Sequence, residues 1–187
     1  MSEQAATADT YKVDVKSILD SIGESIEISD VLHVEALEVG EGRLVAREPF
    51  RFDVRLINTG SGIVALGSVL APVSAVCARC LCEFPMDISA EVDGFYLEAG
   101  KASNLPDDEI AELLDADGCI DLFPSLISAL VLEVPFAPLH DEECAGMCTV
   151  CGTDLNAGSC SCAEEPDPMN PFAALGSLLV ERNSDSD

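Results

Sequence analysis

The sequence predicts an α+β fold: an antiparallel β-sheet core with a packed C-terminal helix and a small zinc-knuckle tail. Three observations predict it. Phe50, Phe52, Val54 and Leu56 alternate with Arg51, Asp53 and Arg55, the period of two that marks a strand with one buried face. Leu122, Leu126, Ile127, Leu130 and Val134 recur at helical spacing, as in a helix laid on a core. Five of the nine cysteines crowd between positions 144 and 162, and Cys148-x-x-Cys151-Gly152 among them has the form of a metal knuckle.

The other elements follow in chain order. Val13 to Leu19 suits a strand or a short helix, while Ile26, Ile28 and Val31 to Leu37 show mixed periods that lean towards strand. Beyond Leu56, the cluster Asn58-Thr59-Gly60-Ser61-Gly62 is a turn signal. Ile63 to Leu70 reads as the next strand. Val73 to Cys77 and Ile88 to Leu97 read as two more, on either side of a cysteine-rich link, Cys77 to Cys82. Consecutive strands with short connections favour antiparallel pairing. An acidic linker, 101–118, comes next, and within it Ile110, Leu113 and Leu114 suit one short helical face. The helix, 121–134, opens on Asp121 as its cap and carries Pro124 in its first turn, where the missing N–H costs little. Pro135 ends it. The expected division is a sheet domain, 1–138, that includes the linker and helix, and a cysteine-rich segment, 139–182.

Among 187 residues there are 35 acidic and 9 basic side chains, a formal charge of −26. Long-range repulsion of phosphate argues against sequence-independent grip on nucleic acid or an anionic membrane by the protein as a whole. The charge is uneven. Residues 43–82 carry Arg43, Arg47, Arg51, Arg55 and Arg79 against Glu48 and Asp53, a net of +3, while the flanks carry −8 and −21. Arg51 and Arg55 project from one face of their strand, and Arg43 and Arg47 keep the same parity. The ordinary reading is a solvated sheet face paired with nearby carboxylates; the functional one is a face for RNA or another partner. The longest apolar stretch, Leu126 to Pro138, is interrupted by Glu133 and two prolines, short of the roughly 18 residues that span a bilayer. Met1 to Tyr11 lacks a basic cap followed by an apolar run, so no signal peptide and a cytoplasmic location are expected.

In a reducing compartment, clustered cysteines point to metal or redox chemistry more than to disulfides. The two residues between Cys148 and Cys151 let the chain fold back so that both thiolates face one ion, and Gly152 supplies the left-handed turn. Cys160 and Cys162 return after an eight-residue loop to complete a tetrahedral sulfur site, with Cys144 as an alternative ligand and His140 as a further nitrogen donor. Four thiolates favour Zn²⁺ in a closed structural site. A reversible Cys148–Cys151 disulfide ranks second, because Asp141, Glu142 and Glu143 precede the cluster and carboxylates push thiol pKa values upward. Cys77-Ala-Arg79-Cys80-Leu-Cys82 is a second half-site built on Cys77 and Cys80, a lone knuckle that joins the C-terminal one across space, or a set of buried structural thiols.

No catalytic constellation is present. His33 and His140 are the two histidines, far apart in sequence, and there is no glycine-rich phosphate loop. The expectation is therefore a non-enzymatic protein without a small-molecule substrate.

Taken together, the cysteine strings resemble those of the YceD family, bacterial proteins associated with accumulation of large-subunit ribosomal RNA. The pieces that carry the resemblance run in order from Cys77-Ala-Arg79-Cys80-Leu81 through Ile120-Asp121-Leu122 and Leu132-Glu-Val-Pro135 to Pro138. The Cys144 to Cys162 string follows, and last comes Asp167-Pro168 leading into a short C-terminal helix with Leu175, Leu178 and Leu179. Residues 1–76 match only in general character. The resemblance implies a small cytoplasmic accessory factor in the synthesis, processing or stability of 23S ribosomal RNA, in the cysteine-rich, metal-binding version of the family. Thr149 stands where a knuckle proline is common, and the C-terminal helix lacks the lysines often interleaved there. The partner implied is large-subunit ribosomal RNA or a pre-ribosomal particle, met by the arginine face. The alternative is a basic ribosomal protein held by the acidic surface without RNA contact.

Overall fold

Alternation fixes an inner strand of the main sheet. In the computed structural model, which describes residues 10–40, 42–97 and 112–162, β5 (Phe50–Asn58) buries Phe50, Phe52, Val54 and Leu56 and exposes Arg51, Asp53 and Arg55. The elements before it are β1 (Lys12–Asp14), α1 (Lys16–Leu19), β2 (Ser25–Leu32), β3 (Ala36–Val39) and β4 (Gly42–Ala46). After it come β6 (Ile63–Val76), β7 (Glu83–Leu97), β8 (Glu112–Leu113), β9 (Cys119–Asp121) and α2 (Phe123–Glu133). The ambiguous stretch 13–19 resolves into both options, a strand and then a helical turn.

Contacts divide the chain into two units, Met1–Glu142 and Glu143–Asp187. In the first, β6 is the spine. Along one edge it pairs antiparallel with β7, from Ile63↔Tyr96 to Val76↔Glu83. Along the other it pairs first with β5, from Asn58↔Ile63 to Arg51↔Leu70, and then with β4 at Val73 and Ser74. β2 lies outside β5 and β3 outside β4, both antiparallel. The exception to antiparallel pairing is β8, which runs parallel to the end of β7. β1 and β9 form a separate two-stranded pair.

One expectation is corrected here. Val73 to Cys77 is not a strand of its own; a single 14-residue strand runs through Pro72. The Pro72 carbonyl accepts the Arg47 amide at 2.9 Å, so its ring nitrogen faces the same edge, at the gap where β5 pairing has ended and β4 pairing begins. A missing N–H costs little there. Likewise β7 begins at Glu83, not at Ile88.

The core fills the inner face of the sheet with aliphatic side chains from β5, β6 and β7, and Tyr11 meets Phe52 edge-on at 4.9 Å. α2 covers this face with Leu126 and Leu130, behind a buried Leu122. Its start differs in detail from expectation. Leu122 holds the N-cap position, while the Asp121 carboxylate accepts the amides of Phe123 (3.0 Å) and Tyr11 (2.7 Å). The carboxylate thus ties β1 to the helix start. Val134 turns extended before Pro135, as the proline ring requires of its predecessor. Leu113 and Leu114 do not form a helical face: Leu113 lies in β8, exposed, and Leu114 is buried beyond it. Ile110, the linker up to residue 111 and the C-terminal helix with Leu175, Leu178 and Leu179 lie outside the described residues. Among the described residues, no helix is long and apolar enough to cross a membrane.

Candidate metal centre

The C-terminal cysteine loop is built by two backbone hydrogen bonds. The Gly152 amide donates to the Cys148 carbonyl, and the Cys148 amide donates to the Thr153 carbonyl, each at 2.9 Å. Gly152 has a φ of +73°, the left-handed conformation that glycine adopts without cost. An antiparallel bridge between Met147 and Asp154, with the Leu155 amide donating to Gly146, carries the chain onward. Asn156 then fastens the return loop. Its Oδ1 accepts the Ala145 amide at 2.8 Å, and its Nδ2 donates to Asp154 at 2.7 Å and to the Cys144 sulfur at 3.5 Å.

This folding brings the sulfurs of Cys148, Cys151, Cys160 and Cys162 within 4.8 Å of one another. Four sulfurs at a Zn–S distance of about 2.3 Å in a tetrahedron stand about 3.8 Å apart, so the donor set fits such an ion with small adjustments. Cys144 is not part of this foursome; it is buried beside Asn156. The Thr153 hydroxyl and amide pull the Cys151 thiol down to about 6, helped by Cys148 and Cys162. Its neighbour Cys162 is pushed up to about 12, first by its hydrogen bond to Cys151 and then by burial and the surrounding sulfurs. A divalent cation that binds these sulfurs displaces their remaining protons.

The link Cys77 to Cys82, between β6 and β7, is a second cysteine loop. The Leu81 amide donates to the Cys77 carbonyl and the Cys77 amide to the Cys82 carbonyl, each at 2.9 Å. Leu81 has a φ of +61°. The segment after α2 is held against this loop, with the Ala78 amide donating to Pro138 at 2.8 Å and Arg79 Nη1 to the Glu142 carbonyl at 3.0 Å. Those ties place His140 Nδ1 3.4 Å from the Cys80 sulfur. The ligand atoms of Cys77, Cys80 and His140 lie within 4.8 Å of one another, the two cysteines buried and the histidine exposed. Burial pushes the Cys77 thiol up, but the His140 side chain and the amides of Cys80, His140 and Arg79 outweigh it and bring it down to about 5. Cys82, exposed, has its sulfur 3.2 Å from that of Cys80. None of the nine cysteines forms a disulfide.

His140 therefore sits with the first cysteine pair, where sequence spacing had offered it to the C-terminal cluster. The signal that could have placed it is the match between Cys77-x-x-Cys80-Leu81 and Cys148-x-x-Cys151-Gly152. A leucine in the glycine position conceals it.

The arginines are distributed differently from a single stripe. Arg43 lies on β4 and Arg51 and Arg55 on β5, with Arg47 between the two strands, so parity does not carry across. Arg43 pairs with Glu38, its cross-strand neighbour, at 3.3 Å; Arg51 pairs with Glu48 at 3.1 Å; Arg55 pairs with Glu27, directly opposite, at 3.7 Å. Arg55 also donates to the Ser25 hydroxyl at 3.2 Å. These exposed pairs contribute about 0–1 kcal/mol each. Their effect on the surface potential is larger, since each guanidinium has a carboxylate beside it.

The chain is similar to proteins of mycobacteria. An uncharacterized protein of Mycobacterium leprae is 32% identical over 107 residues, covering 57% of this chain and 49% of that protein. Uncharacterized proteins of Mycobacterium tuberculosis and Mycobacterium bovis are 27% identical over 184 residues, covering 94% of this chain and 84% of theirs. No solved structure matches the chain. A family model described as the large ribosomal RNA subunit accumulation protein YceD matches residues 66–179, an interval that starts within the spine strand and takes in both cysteine loops. With more than half its length in that match and each loop folded as a knuckle, the chain belongs to the YceD family.

Proposed function

We propose that the protein is a non-enzymatic, cytoplasmic accessory factor that supports the synthesis, processing or stability of 23S ribosomal RNA. In this reading a structural Zn²⁺ on Cys148, Cys151, Cys160 and Cys162 shapes its C-terminal unit. The observation that carries the reading is the family match over residues 66–179, whose description names large-subunit ribosomal RNA accumulation. The zinc rests on the donor set: four cysteine sulfurs within 4.8 Å of one another, soft ligands in the number that closes a tetrahedral site and leaves no open position for chemistry. Bound there, zinc supplies rigidity to a short segment that offers little apolar surface to bury.

A second reading concerns the partner. Glu38, Glu48 and Glu27 beside Arg43, Arg51 and Arg55 reduce the attraction of the sheet face for phosphate. With a net charge of −26, this favours contact with a basic ribosomal protein over direct contact with RNA.

Co-sedimentation of the full chain with large-subunit particles, with and without ribonuclease, separates the two. Direct RNA contact predicts loss of binding after ribonuclease and in an Arg51→Ser/Arg55→Ser variant. Contact through a basic protein predicts that binding survives both. Unchanged 23S ribosomal RNA levels in cells depleted of the protein would overturn the reading as a whole.

A further inference from the structure

We propose that the β6–β7 loop holds a second structural metal ion, a zinc bound by Cys77, Cys80 and His140. This site is separate from the C-terminal foursome and does not depend on the proposed function.

The first argument is the backbone. In both loops the amide of the first cysteine donates to the carbonyl five residues on, and the amide four residues on donates back to the carbonyl of the first cysteine, all at 2.9 Å. In both, the residue after the second cysteine is left-handed. The turn that presents two sulfurs to one ion is therefore built twice, once on Cys148 and Cys151 and once on Cys77 and Cys80.

The second argument is Leu81 itself. A left-handed, non-glycine residue is strained, and Leu81 is 58% exposed, so packing does not repay that cost. A bound ion that requires this turn does.

Third comes the donor set. For a tetrahedral zinc with Zn–S of about 2.3 Å and Zn–N of about 2.0–2.1 Å, sulfur and nitrogen stand about 3.6 Å apart; Cys80 and His140 are at 3.4 Å. The ties from Ala78 to Pro138 and from Arg79 to Glu142 hold the histidine in place independently of any ion. Two thiolates and a neutral imidazole suit zinc, and fixing His140 to the strand connection would pin the segment after α2 to the sheet.

Elemental analysis of the full chain, purified without chelator, tests this. We expect two zinc ions per chain in the native protein and one in Cys148→Ser/Cys151→Ser. Loading that variant with Co²⁺ should give the intense d–d bands of a tetrahedral site with sulfur-to-metal charge transfer. Cys77 is buried and its replacement would disturb the sheet, so the decisive variant is His140→Gln, on an exposed side chain. Added to Cys148→Ser/Cys151→Ser, it should shift the Co²⁺ bands and weaken zinc at least about tenfold against a competing chelator, while circular dichroism of the sheet stays unchanged. Cys82→Ser in the same background should leave zinc affinity unchanged. A single zinc per native chain, or a Cys148→Ser/Cys151→Ser variant that holds no metal, overturns the proposal and leaves the C-terminal site standing. Co²⁺ bands indifferent to His140→Gln overturn it as well.

Discussion

Leu81 holds the backbone conformation that Gly152 holds in the other cysteine loop. Their φ angles are +61° and +73°, and each donates its amide to the carbonyl of the first cysteine at 2.9 Å. Glycine does this without strain, whereas leucine does not. Replacing Leu81 with Gly should therefore leave stability unchanged or raise it by up to about 1 kcal/mol, with relief of strain opposed by a more flexible unfolded chain. Leu81→Val should lower it by more than about 1 kcal/mol, because a branched side chain tolerates positive φ worst. Urea denaturation of both variants measures this, and a Leu81→Gly variant less stable than the parent would remove the strain argument.

Gly67 marks a close approach of a different kind. A Cβ at this position in β6 would overlap the Asp53 carbonyl oxygen and stand 2.7 Å from Val54 Cα. Backbone cannot withdraw as a side chain tip can, so Gly67→Ala should destabilise the sheet unit by about 3 kcal/mol. Thermal denaturation followed by far-ultraviolet circular dichroism would show it; a melting temperature within a degree or two of the parent would mean that β5 and β6 separate more easily than their register implies.

Asn58 is a buried polar side chain that joins α1 to the end of β5. Its Nδ2 donates to the carbonyls of Ile18 (2.7 Å) and Leu19 (2.9 Å), and its Oδ1 accepts the Gly60 amide (2.8 Å). Asn58→Ala leaves those backbone groups without these partners, at a cost of about 2–3 kcal/mol. Asn58→Asp should be worse at neutral pH, since it places a carboxylate against two carbonyl oxygens, and should recover as the carboxyl protonates. Chemical denaturation at pH 4 and pH 7 tests the sign.

Tyr96 gives an alkaline dependence. Burial pushes its phenol up; the hydrogen bond with Ser125 (2.7 Å) pulls the other way, and the charges of Glu112 and Asp121 add to the rise, leaving it at about 12. A folded value above the unfolded one, about 10, means that the stabilisation is complete below pH 10 and is lost as the pH climbs towards 12. Tyr96→Phe should cost about 1 kcal/mol at pH 7 through the lost hydrogen bond and should flatten the stability profile between pH 10 and 12. An unaltered alkaline profile would assign that loss to other groups.

Acid acts through Asp115. Hydrogen bonds from the amides of Cys119 and Asp117, together with Lys12 at 3.0 Å, hold its carboxyl below the usual carboxylate range. Its contribution is therefore present above the unfolded carboxylate value, near pH 4, and disappears as the pH falls through the lower folded value. Asp115→Asn should lower stability at pH 7 and have less effect at pH 2, measured by urea denaturation at the two pH values.

By itself the sequence determined what depends on neighbours along the chain. Alternation placed Phe50, Phe52, Val54 and Leu56 on the buried face of β5, helical spacing and Pro135 bounded α2, and Cys-x-x-Cys-Gly foretold the turn at Gly152. Periodicity and steric limits on single residues act locally, so a string of letters records them. Tertiary structure decided what depends on residues far apart. Pro72 passes through an unbroken strand because β5 and β4 divide one edge of β6 between them. Glu27 and Glu38 meet Arg55 and Arg43 because strand register, not sequence separation, sets cross-strand neighbours. His140 reaches Cys80, sixty residues earlier, only after α2 has carried the chain back over the sheet. Spacing cannot report such a meeting, because the path between the two residues is fixed by burial of the helix stripe and not by either ligand.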